Sequence, residues 1–110
     1  MTAFDPAAKH ANITLSNGDL TATCSSAANW KAVHSTAYKT SGKWYCEVTI
    51  DSVGTYTALG IGKTTTPNND QIGVDADGYD YLNVSGKTHA GSSGAYGATY
   101  TSGDIISILL

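Results

Sequence analysis

The sequence predicts an all-β domain, an antiparallel sandwich, on three observations. Apolar residues alternate with polar ones or sit in short runs, and no stretch carries the period of a long helix. Gly, Asn, Asp and Ser punctuate those runs at close intervals. The composition suits pleated, half-buried surfaces: 15 Thr, 11 Ser and 12 Gly, with seven Tyr against one Phe. Thr and Tyr fit such surfaces well.

The elements follow in order. Asn12 to Leu15 reads as a short strand, Asn17-Gly18 as a hairpin turn, and Leu20 to Cys24 as its return. A Ser/Ala/Asn loop leads to a strand from Trp30 to His34. Ser41-Gly42 then turns the chain into Lys43 to Ile50. In that strand Trp44, Cys46, Val48 and Ile50 share one face, and Tyr45, Glu47 and Thr49 the other. Tyr56 to Gly62 is a strand containing glycine, followed by a polar loop with Pro67, Asn68 and Asn69. Gln71 to Asp75 and Tyr79 to Val84 flank an Asp77-Gly78 turn. Ser85 to Tyr96 reads as a long Gly/Ser loop, and Asp104 to Leu110 as a closing apolar strand. About nine strands are expected at the spacing of a β-sandwich. With 110 residues and no linker or internal repeat, residues 1–110 form one expected domain.

Charge narrows the function. Only 14% of residues are charged, where about a quarter is usual. The formal net charge is −3, and all six cations are Lys. Arg is the preferred bidentate reader of phosphates and bases. Its absence, with the acidic balance, argues against nucleic acid. The lack of a basic amphipathic helix and of a long apolar run argues against a membrane. No basic segment followed by an apolar stretch opens the chain, so no signal peptide is expected. Synthesis in a reducing cytoplasm then favours free thiols at Cys24 and Cys46 over a bridge between neighbouring strands.

The ordered set Trp30-x-x-Val33, Ser41-Gly42-Lys43-Trp44-Tyr45-x-Glu47-Val48, Leu59-Gly60-Ile61-Gly62, Ile72-Gly73, Asp77-Gly78-Tyr79 and Gly103-Asp104-Ile105-Ile106 resembles a SPRY domain, from about Ile13 onward. The opening FDPAAKHANITLSNGDLTAT is similar to the start of SPRY modules in bacteriophage structural and tail-associated proteins. The resemblance implies a bent antiparallel β-sandwich of concanavalin-like jelly-roll type. It also implies a non-catalytic module that binds proteins through loops at one end. Cys46 departs from the family, which usually places an aromatic there. The family also continues with further strands beyond the segment matching Gly103–Leu110, so the resemblance implies a C-terminally truncated sandwich. Three readings stand: a fragment, a gap covered by another chain, or rearranged strands.

Each chemical motif has a plainer reading. Gly60-Ile61-Gly62-Lys63-Thr64 ends like a phosphate loop, but Thr57 stands where that motif needs Gly and no helix follows. Asp75, Asp77 and Asp80 suggest calcium. The EF-hand pattern needs a further ligand before its Gly and a distant Glu, so a turn is the simpler reading. His10, His34 and His89 lack partners at ligand spacing. Glu47, the only Glu, lies mid-strand without a local carboxylate partner, and a hydrogen-bonding role is expected for it. No catalytic residue, metal or cofactor is therefore expected. Tyr with Ser, Gly and Asn is the composition of adaptable binding loops. Tyr38, Tyr56, Asn68, Asn69, Tyr79 and Tyr96 are the expected ligand-binding loop residues.

The expected function is protein–protein recognition in a phage virion or tail component made in the host cytoplasm. The partner would be a virion subunit or a host surface protein. Two alternatives stand beside it. One is a lectin-like glycan-binding module. The other is an architectural subunit whose open sheet edge is completed by another chain, homo-oligomerisation through the C-terminal edge included.

Overall fold

The computed structural model describes residues 2–25 and 29–110. The part of the Ser/Ala/Asn loop at 26–28 lies outside the described residues. The described residues form ten strands and no helix. They are β1 (Phe4–Lys9), β2 (Ile13–Ser16), β3 (Thr21–Cys24), β4 (Val33–Ser35), β5 (Tyr45–Thr49), β6 (Ala58–Gly62), β7 (Gly78–Leu82), β8 (Gly86–His89), β9 (Ser92–Ala95) and β10 (Ile105–Leu109). All pairings are antiparallel: β1 with β4, β2 with β3, β5 with β10, and a four-stranded meander β6-β7-β8-β9. The all-β expectation is met, as an open sandwich rather than a closed barrel.

The β2–β3 hairpin turns where the sequence places it. Asn17, Gly18 and Asp19 have φ of 54°, 64° and 63°, a left-handed run that Asn, Gly and Asp tolerate best. β5 and β10 are joined in unbroken register from Ile105 opposite Thr49 to Leu109 opposite Tyr45. The ladder continues outward at both ends: Trp44 and Leu110 exchange both backbone bonds at 2.8 Å, and Ile50 donates to Asp104 at 2.8 Å.

Four local expectations are corrected, and one strand is added. β1 was not legible, because Pro6 removes a ladder donor. It survives as an irregular pairing with β4, a place where Pro is tolerated. The strand near Trp30 begins later, at Val33. Gln71–Asp75 is not a strand: Val74 donates to Gln71 in a turn, and the Gly73 N–H goes to the Asp80 carboxylate at 3.1 Å. The Asp77-Gly78 pair therefore does not close a hairpin. Gly78 opens β7 opposite Gly62 of β6. Finally, Ser85–Tyr96 is not a loop but the β8–β9 hairpin. Ala90 and Gly91 take φ of 51° and 71°, the two-residue turn whose twist matches the strands. Its weak strand formers hold because β8 pairs with β7 and buries Thr88.

The core is thin. Ile13, Ala32, Ile50, Leu82 and Tyr100 are its buried hydrophobics, and among the described residues no side chain is fully enclosed. The Tyr100 hydroxyl lies 2.7 Å from the Thr57 carbonyl oxygen and 3.0 Å from that of Tyr81, and its one proton is shared between them. Burial, with Tyr81 and Asp80 nearby, pushes its phenol up to about 12. Asn83 accepts from the Thr57 N–H at 2.8 Å and ties β7 to the start of β6. The radius of gyration, 13.1 Å, is about that of a compact chain of this length. The accessible surface, 6916 Å², exceeds the roughly 5,800 Å² typical of an 11.4 kDa monomer. Ordinary dimensions with extra surface mean that the layers leave apolar faces uncovered.

Candidate functional site

One uncovered face is on the four-stranded meander. Registers Ile61↔Tyr79↔His89↔Ser92 and Leu59↔Tyr81↔Lys87↔Gly94 place these residues side by side. Directly paired residues share a face. Asp80, Leu82 and Thr88 take the opposite, buried face, where the 71–74 turn covers Asp80 and Thr88: Gly73 donates its N–H to Asp80, and Gln71 donates its side-chain N–H to Thr88 Oγ1 at 2.9 Å.

The bare face looks across a gap at β10. A cleft of about 660 Å³ lies between them, walled by Leu59, Ile61, Tyr79, Tyr81 and Tyr96 on one side and Ile106, Ile108 and Leu110 on the other. Its volume is in the range of ligand sites. Tyr79 stacks flat on His89, centroids 3.6 Å apart and planes 3° from parallel. The His89 Nδ1 lies 2.8 Å from the Gly78 carbonyl, which fixes the ring. Tyr81 meets Tyr96 and Tyr100 edge-on at 5.3 and 5.1 Å. The Lys87 ammonium lies 5.5 Å from the centre of the Tyr96 ring. These contacts hold the rings in place, so a partner meets a rigid aromatic surface at little ordering cost.

The expected site residues divide. Tyr79 and Tyr96, 54% and 53% exposed, both line the cleft. Tyr38 and Tyr56 are exposed elsewhere: the Tyr38 hydroxyl meets His34 Nδ1 at 3.0 Å, and the Tyr56 ring lies 6.2 Å from Trp30. The main-chain carbonyl of Asn68 accepts from the Ala32 N–H at 2.8 Å, and Asn69 is exposed beside it. Neither lines the cleft. Sequence reasoning missed Ile61, Tyr81, Lys87, His89, Ile106 and Ile108 as cleft residues. The alternation Tyr79-x-Tyr81 was a usable signal, because it puts both rings on one face of a strand. The β8 residues became visible only through pairing.

The acidic turn serves structure. Asp77 accepts from Lys63 Nζ at 2.8 Å and from the Thr65 hydroxyl, and Asp75 accepts from the Asp77 N–H at 2.8 Å. Asp80 faces the far side, toward Gly73. The three carboxylates therefore do not converge. The hydrogen bonds from Lys63 and Thr65 hold the Asp77 carboxyl below its usual range, and the bond to Asp77 raises Lys63. A depressed carboxyl stabilises the fold above its unfolded value, about 3.9. That contribution disappears as the pH falls through the lower folded value. An NMR titration is expected to place the Asp77 midpoint below 3.9, and Lys63→Ala to move it upward. An unmoved midpoint would remove the ion pair from the account of this turn.

Glu47 is exposed on β5 and accepts a hydrogen bond from the Tyr45 hydroxyl. Cys46 is an exposed free thiol, so no bridge joins it to Cys24. No family model matches the chain, and no curated protein matches it.

Proposed function

We propose that this domain is a non-catalytic module that binds another protein in the cleft between the meander and β10. The observation that carries the reading is the rigid aromatic face of Tyr79, Tyr81 and Tyr96, set opposite the apolar residues of β10. Large, pre-organised tyrosines beside aliphatic side chains are what protein hot spots use. The resemblance to SPRY modules of phage structural proteins supports the same reading and points to a virion subunit or host surface protein as partner. The site differs from the loop-end surface that the resemblance implies, since it lies on a sheet face.

The glycan reading is weaker here. Sugar recognition needs several polar groups converging beside the aromatic ring. The cleft carries few: Lys87 leans over Tyr96, His89 is committed to Gly78, and Asp80 turns its carboxylate to the other side of the sheet.

The test is binding of the purified domain to a panel of phage virion proteins, host surface proteins and immobilised glycans, by biolayer interferometry. A protein ligand is expected. Tyr79→Ala with Tyr96→Ala should weaken it by about 2 kcal/mol or more, roughly 30-fold. Tyr38→Ala with Tyr56→Ala should leave it unchanged. Full affinity in the cleft variant, or binding confined to glycans, would sink the proposal.

A further inference from the structure

We infer that the free edge of β10 pairs with the same edge of a second copy of this chain, across a two-fold axis at Ser107. The inference goes beyond the protein-binding reading and shares β10 with it, since Ser107 and Leu109 also line the cleft. β10 has β5 as its sole strand partner among the described residues. Trp44 and Leu110 exchange both backbone bonds, and the register runs unbroken from there. Hydrogen-bonded and non-bonded pairs alternate along an antiparallel ladder. Ile106 and Ile108 therefore turn their main-chain groups toward β5. Ile105, Ser107 and Leu109 turn theirs outward, and among the described residues no backbone partner meets them.

Natural sheets guard such edges with charges, prolines or bulges. The strand Ile-Ile-Ser-Ile-Leu, 105 to 109, has none of these. Its order is nearly palindromic about Ser107. An antiparallel partner centred there sets Ile105 opposite Leu109 and Ile106 opposite Ile108, each pair twice by symmetry, with the small Ser107 opposite itself. The outward N–H and C=O groups of Ile105, Ser107 and Leu109 are the ones such a pairing uses. Ile105 and Leu109 are 59% and 76% exposed in the single chain, and a direct cross-strand partner covers such side chains.

Surface area and charge agree with a second copy. The chain exposes about 1,100 Å² more than is typical for its mass. A standard interface buries about 800 Å² per partner. Each chain carries a net charge of −3, and the pairing sets no two acidic side chains opposite each other. Glu47 is in register with Ser107 on the neighbouring strand. The two Glu47 residues would stand three strand spacings apart, about 14 Å, beyond the screening length of physiological salt. Asp104 would lie opposite Leu110, and its carboxylate already accepts from the Thr101 N–H at 2.8 Å.

Light scattering on the purified 110-residue chain is expected to give twice its 11.4 kDa mass. Ser107→Pro removes the outward N–H at the axis while leaving the β5 bonds in place, and should give a monomer. Ile105→Lys with Leu109→Lys sets like charges opposite each other and should also give a monomer. Ile105→Lys with Leu109→Glu sets opposite charges across the same axis and should restore the dimer. Both altered positions are exposed, and circular dichroism checks that each variant stays folded. A monomeric parent chain, a larger open assembly, a dimer that survives the double-Lys change, or a Lys/Glu variant that stays monomeric would each overturn the inference.

Discussion

Replacing Tyr100 by alanine is expected to cost about 3–5 kcal/mol, the range for losing a buried aromatic ring. Small domains hold only about 5–15 kcal/mol in total, and the core here is thin, so the variant should be largely unfolded at 37 °C. The physical reason lies in what one side chain joins. The Tyr100 ring is 5% exposed, its edge meets Tyr81, and its hydroxyl bonds the carbonyls of Thr57 and Tyr81. It thus ties the approach to β6 to the middle of β7. Tyr100→Phe keeps the ring and loses only the hydroxyl, so about 1–2 kcal/mol is expected. Urea unfolding measures both: the midpoint should fall in that order, with an unchanged slope if the folded state is otherwise intact. Equal losses for the two variants would show that the ring carries little.

Gly73→Ala should be comparably damaging, for a reason of space. A Cβ built on Gly73 would lie 2.1 Å from the carbonyl oxygen of Thr88 and 2.5 Å from its carbon. Those are backbone atoms of a paired strand and cannot step aside. The 71–74 turn would have to lift, breaking the bond from the Gly73 N–H to the buried Asp80 carboxylate. Overpacking of this kind costs about 1–3 kcal/mol, and an orphaned buried carboxylate oxygen adds to it. Gly94→Ala is the control, because a Cβ there meets nothing within 4 Å. Its effect should stay within about 0.5 kcal/mol. If the two substitutions shifted the unfolding midpoint equally, the close approach would not be holding the turn.

The second prediction concerns what covers the buried face of the meander, and that face was poorly legible in sequence. The elements that could be read carry their own local signal. Asn17-Gly18 bends the chain wherever it occurs, and the alternation from Trp44 to Ile50 assigns two faces without reference to any partner. β8 and β9 carry no such signal. Gly, Ser and Lys are poor strand formers, and only pairing with β7 makes strands of them. Gln71 to Asp75 has the apolar content of a strand, but the Asp80 carboxylate takes the Gly73 N–H and bends it into a turn. The candidate site divided in the same way. Tyr79 and Tyr96 were singled out by residue type alone. Lys87 and His89 came beside them only through the β7–β8 register. Asn68 and Asn69, chosen for loop composition, lie outside the cleft because the Asn68 carbonyl anchors its loop to Ala32.

By itself the sequence determined the all-β class, the first hairpin, the two faces of the Trp44–Ile50 strand and an apolar strand from Asp104 onward. Each follows from side-chain period or turn chemistry, which act over a few residues. Tertiary structure alone decided that the apolar strand pairs with β5 and leaves its far edge open. It also decided that the meander keeps its tyrosine face bare, and that 6916 Å² of surface stays exposed on a chain of ordinary dimensions. Those outcomes depend on which strands meet across long stretches of chain. Side-chain period fixes the face a residue takes on its own strand, and carries no information about the partner that strand will find.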